Sequence, residues 1–141
     1  MIGDRLRVPI DEPYLHAVGL ALISFARLEW DAVNCCEKLN QGYTRAVERK
    51  TAGKIAFDLV AFAKQHHDPR VVATLLPAAE EFQRLTGLRN DLVHAKPATD
   101  PGGKQRLFRS GTFWTIAMLN DLADEFTANS LELNRHFYKV L

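Results

Sequence analysis

A chain of 141 residues, 47% apolar and 25% charged, has the make-up of one ordinary globular domain that can bury a core without metal or disulfide staples. Its formal net charge of +1 excludes a polyanion-binding surface spread over the whole molecule, so any nucleic-acid contact must come from a local patch. The two cysteines are the neighbours Cys35 and Cys36, which can form neither an ordinary intrachain disulfide nor a complete structural zinc site, a usage that suits a reducing, cytoplasmic setting.

The start of the chain, Met1 to Arg7, lacks an apolar core segment, so no signal peptide is expected. Residues 1–10 read as an N-terminal arm of a single 1–141 domain. The longest apolar run, Ala17 to Ala26, contains Gly19 and Ser24 and falls well short of the ~20 residues of a membrane span, so no membrane partner is expected. The first helix is predicted from about Asp11, with Pro13 in its first turn, to about Leu39, and Asn40-Gln41-Gly42 reads as its stop. Tyr43 to Lys50 is ambiguous. Thr51 is a candidate N-cap for a second helix ending near His67. Asp68-Pro69 opens a third helix running to about Ala95, which Pro77 should kink or divide. Pro97 to Gly111 holds two prolines and three glycines and reads as a loop, with a short extended piece at Gln105 to Arg109. The last helix is predicted over Thr112 to Tyr138. Four main helices with short connections predict an all-α, up-down antiparallel bundle with a loop at 97–111.

Two charges interrupt apolar helix faces. At 100° per residue, Phe82, Leu85, Leu88, Leu92, Val93 and Ala95 share one arc of the third helix, and Arg89 lies inside it. In the first helix, Leu15, Val18, Leu22, Phe25, Ala26, Ala32, Val33 and Cys36 form the arc, and Glu29 lies in its middle. An unpaired buried charge is costly and a bonded pair is tolerated, so Glu29 and Arg89 are expected to meet between the helices. Asn90 and His94, four apart, are neighbours on an adjacent polar stripe, whereas Arg89 and His94 diverge by about 140°. One helix therefore does not easily aim both at a single small target; a bend of the backbone near the helix end, where His94 sits, or a second copy of the chain would bring them together.

The stretch Arg89-Asn90-Asp91-Leu92-Val93-His94 resembles the Arg-x4-6-His signature of HEPN domains, small helical bundles of prokaryotic toxins, defence proteins and some ribonucleases. Phe25-Ala26-Arg27-Leu28-Glu29 is similar to the apolar-acidic pattern of some small bacterial members. The resemblance implies a HEPN-like fold and a metal-independent, cofactor-free endoribonuclease of toxin or defence type, working as a homodimer with a composite site. It implies that Arg89 neutralises the scissile phosphate, that His94 is the general base or acid, and that Asn90 orients phosphate or imidazole. Implied partners are RNA and a cognate antitoxin or regulatory protein. Some members carry Tyr two residues after the His and are silenced by its nucleotidylation; Lys96 stands there in this chain, so that control does not carry over. The alternative is a catalytically inactive HEPN-like module that binds RNA, nucleotide or a protein partner. A third reading is a plain helical interaction domain in which Arg89, Asn90 and His94 only stabilise the fold.

Lys96, Lys104, Arg106 and Arg109, with Phe108, follow the motif and could line a basic edge for RNA-backbone contacts; the competing reading is a solvated loop. Pro101-Gly102-Gly103-Lys104 lacks the spacing and the Ser or Thr of a phosphate loop. His66-His67-Asp68 suits a helix end better than a metal, so no metal site is expected. Trp30 and Trp114 read as core or dimer contacts.

Overall fold

The computed structural model describes residues 7–141; residues 1–6 of the expected N-terminal arm lie outside the described residues. The chain is mostly helical with a small antiparallel sheet. The helices are α1 (Glu12–Leu39), α2 (Ala52–Lys64), α3 (Pro69–Val93) and α4 (Ile116–Lys139), and a 3₁₀ segment (Tyr43–Arg49) joins the first two. Between α3 and α4 lie β1 (Lys96–Thr99), β2 (Gln105–Arg109) and β3 (Thr112–Phe113), in the order β1-β2-β3.

Local chemistry sets most boundaries. Thr51 and Asp68 cap their helices as expected, accepting from the amides of Lys54 at 3.1 Å and Arg70 at 2.9 Å. Gly42, at φ +94°, turns the chain after α1, and the Glu37 carboxylate fastens that turn by accepting from the Gly42 amide at 2.5 Å and the Thr44 amide at 3.0 Å. Pro77 neither divides nor ends α3, which continues through it.

The extended piece expected at Gln105 to Arg109 is β2, but the rest of the segment expected as a loop over 97–111 is built into the same sheet and its turns. Asp100 to Gly103 makes the first hairpin turn, closed by the Asp100 amide donating to the Lys104 carbonyl at 2.8 Å. Ser110 and Gly111, at φ +52° and +79°, make the second turn, with the two left-handed residues that a type I′ hairpin needs. Pro97 is tolerated because β1 is an edge strand. The strands also displace the start of α4 from the expected Thr112 to Ile116, with Thr115 as its cap.

The helix directions also differ from simple alternation. Contacts pair Tyr14 with Trp114, Phe25 with Phe126 and Cys35 with Leu133, so α1 and the chain entering and forming α4 run parallel. Arg84–Glu125, Asn129–Ala78 and His136–Thr74 make α3 antiparallel to α4. The ends of α1 (Lys38, Leu39), α2 (Phe62, Gln65) and α4 (Val140), with the start of α3 (Val71), line one hollow of about 570 Å³. Three helices therefore end at this pole and one begins there, because the 3₁₀ segment turns the chain back before α2.

Phe25 is the aromatic node of the core, 6.1 Å from Phe82 and 5.1 Å from Phe126 between ring centroids. The buried face of α1 runs through Tyr14, Ala17, Ala21, Phe25, Leu28, Ala32 and Cys35. The expected arc is therefore rotated: Leu15 and Leu22 are each 40% exposed, and Trp30 is 56% exposed and no part of the core. Trp114 is buried as expected. The thiols of Cys35 and Cys36 are sealed inside, and burial pushes both up to about 12.

Candidate functional site

The last turns of α3 lie at the opposite pole, beside the start of α1 and the sheet. Arg89 leaves α3 on its core side, and its guanidinium settles over the Phe25 ring, 4.5 Å from the centroid. Its Nη2 lies 4.0 Å from Glu29 Oε2. The two expected partners are thus brought together at the outer limit of an ion pair, too far apart for a hydrogen bond. Both side chains reach solvent, at 23% and 34% exposure. The contact is therefore a rim pair worth about 0.2–1 kcal/mol and leaves the guanidinium with unused donors. The Arg89 Nε is buried and, among the described residues, has no hydrogen-bond partner.

One turn earlier, Thr86 is buried and its Oγ1 is also without a hydrogen-bond partner among the described residues. It sits three and four residues before Arg89 and Asn90, so the three share a polar seam. Sequence reading passed over Thr86 because a hydroxyl carries no charge to mark it; its helical spacing from Arg89 and Asn90 is the signal that could have found it.

Asn90 is half-buried, and its side chain makes no hydrogen bond among the described residues. His94 ends α3 as its C-cap, with an exposed ring. Among the described residues no hydrogen bond joins its ring to Arg89 or Asn90. Arg89 turns inward onto α1 while His94 faces solvent, so one protomer does not bring the two to a common point. No family model, curated protein or solved structure matches this chain.

The four cations after the motif separate into different roles. Arg106 is committed to the fold: its side chain is 10% exposed, its Nη1 donates to Asp11 Oδ1 at 2.6 Å, and its guanidinium lies 4.2 Å from the Tyr14 ring centroid. This clasp holds the Asp11 carboxyl below the usual carboxylate range. It also explains why Asp11, at the N-cap position, makes no side-chain cap bond to α1. Arg109 closes the end of α3, with Nε 3.3 Å from Asp91 Oδ1 and Nη1 donating to the His94 carbonyl at 3.3 Å. Lys96 and Lys104 are exposed. Lys96 and the outer part of Arg109 therefore remain available at one end of the sheet, and Lys104 at the far tip of the β1–β2 hairpin.

The arrangement offers an anion a guanidinium with spare donors on the core side of α3 and, separately, an imidazole that faces solvent at the helix end, two residues before Lys96. Among the described residues no group of three His, Cys, Asp or Glu side chains could hold a metal ion, and no helix is long and apolar enough to cross a membrane.

Proposed function

We propose that this chain is a HEPN-like, metal-independent endoribonuclease of toxin or defence type, acting as a homodimer whose site combines Arg89, Asn90 and His94. The observation that carries this reading is Arg89. A guanidinium drawn to the edge of the core, stacked on Phe25 and met by its carboxylate only at 4.0 Å, retains donors for an anion. An imidazole is suited to proton transfer, and His94 is open to solvent. In the reaction, His94 removes the proton of a ribose 2′-hydroxyl, and the oxygen attacks the adjacent phosphorus. The bond to the 5′-oxygen breaks, and the leaving oxygen takes a proton from the imidazolium of a second copy. The products are a 2′,3′-cyclic phosphate and a 5′-hydroxyl. Arg89 offsets the charge that grows on the phosphate oxygens, and Glu29 orients Arg89 without saturating it.

RNA is the proposed substrate, and a cognate antitoxin or regulatory protein the proposed restraint. The test is cleavage of single-stranded RNA in EDTA with analysis of the ends. Cyclic phosphate ends are expected, and His94→Ala or Arg89→Ala should each slow cleavage at least ~100-fold. Cleavage lost in EDTA, or undiminished in His94→Ala, would overturn the proposal. The divergence of Arg89 and His94 within one protomer favours a second reading, an inactive module that binds RNA, nucleotide or a protein. Retained RNA binding without any cutting would select it.

A further inference from the structure

Among the described residues, one face of α1 has no partner within the protomer. Leu15, Leu22, Ile23, Ala26 and Trp30 follow one another along it at helical spacing, and Ile23 and Trp30 are 65% and 56% exposed. Gly19 lies in the same stripe. A glycine inside a helix costs roughly 1 kcal/mol relative to alanine, and a Cβ added at Gly19 would meet nothing within 4 Å. The protomer gives no reason for this residue. A second helix approaching from outside would.

The stripe is complementary to itself. Glu12 marks its beginning and Arg27 borders its far part, both exposed, and among the described residues neither is engaged in an ion pair. We infer that α1 packs antiparallel against α1 of a second copy about a two-fold axis near residues 20–21. Ile23 of each copy then enters the space left by Gly19 of the other, Leu15 meets Ala26, and Glu12 lies beside Arg27. A parallel pairing would set Glu12 against Glu12 and Arg27 against Arg27. Isologous contact of this kind closes the assembly at two copies. On the ribonuclease reading, the same two-fold brings an Arg89 and a His94 of each copy to one cleft. This last consequence rests on the ribonuclease reading; the interface itself does not.

Sedimentation of the full chain should give a dimer. Ile23→Glu should make it monomeric without changing the circular dichroism of the helices, because Ile23 is exposed in the protomer. Glu12→Arg and Arg27→Glu should each raise the dimer Kd about tenfold, since the two-fold makes each change felt twice, and the double reversal should restore it to within about threefold. A wild-type monomer, a dimer indifferent to Ile23→Glu, or a double reversal no better than the single ones would overturn the interface. Wild-type cleavage of RNA in EDTA reports separately on the function. A dimer broken by Ile23→Glu that never cuts RNA keeps this interface and removes the nuclease.

Discussion

Asp58 and Arg89 are both charges drawn into the helical body, and the molecule treats them in opposite ways. Asp58, on α2, is 8% exposed and accepts from the Tyr43 hydroxyl at 2.7 Å, from Lys50 at 3.3 Å and from Lys54 at 2.8 Å. Burial alone would raise its carboxyl, but bonds from Lys54, Tyr43 and Lys50 outweigh it and hold the group below the usual carboxylate range. Arg89 has a ring beneath it, one distant carboxylate and an Nε with no hydrogen-bond partner among the described residues. A satisfied buried charge has nothing left to offer and serves the fold, here by tying the 3₁₀ segment to α2. An under-satisfied one at a solvent edge keeps the capacity to bind.

The sharpest way to break this contrast is Asp58→Ala, which strands a tyrosine hydroxyl and two ammonium groups. It should destabilise by about 3–5 kcal/mol in urea unfolding. The same carboxyl predicts an acid dependence. Its folded value lies below the unfolded value near 3.8, so its contribution is complete above pH 4 and is lost as pH falls through the depressed value. Melting curves from pH 6 to 3 should fall less steeply for Asp58→Asn than for the wild type.

Next in size is Tyr14→Phe. The hydroxyl donates to the Trp114 carbonyl at 2.8 Å and accepts from the Leu107 amide at 2.9 Å, pinning the sheet to α1. Its loss should cost about 1–2 kcal/mol and speed hydrogen exchange at the Leu107 amide. A smaller effect is expected from the Glu29→Gln and Arg89→Gln cycle, whose coupling energy should stay under about 1 kcal/mol and shrink in salt. A coupling as large as the Asp58 loss would make Arg89 a structural charge and erase the distinction. The least is expected from His94→Ala, which should shift stability by no more than about 0.5 kcal/mol, because its ring is exposed. A loss of 2 kcal/mol or more in the same unfolding assay would assign His94 to the fold.

The encounter of Glu29 and Arg89 was legible beforehand because two opposite charges on two apolar faces have few other ways to coexist. Its looseness was not, since a helical wheel gives angles and not distances. Arg106 and Lys104 looked alike in sequence as cations of a basic edge. Only the packing of β2 against the start of α1 distinguishes the clasp on Asp11 from the solvated lysine. Pro101, Gly102, Gly103 and Gly111 signal turns, but such residues serve an irregular loop and a hairpin alike, and pairing with a neighbouring strand decides between them.

By itself, the residue order determined the number of long helices, the caps at Thr51 and Asp68, the stop at Gly42 and the position of a charged motif at the end of α3. Those features depend on neighbours within a few positions. Tertiary structure decided that α1 and α4 run in the same direction, that Leu15, Leu22 and Trp30 lie outside the protomer core while Tyr14 and Leu28 enter it, and that Arg89 turns inward while His94 turns out. Periodicity specifies an angle around an axis, and the surrounding elements select which arc is covered.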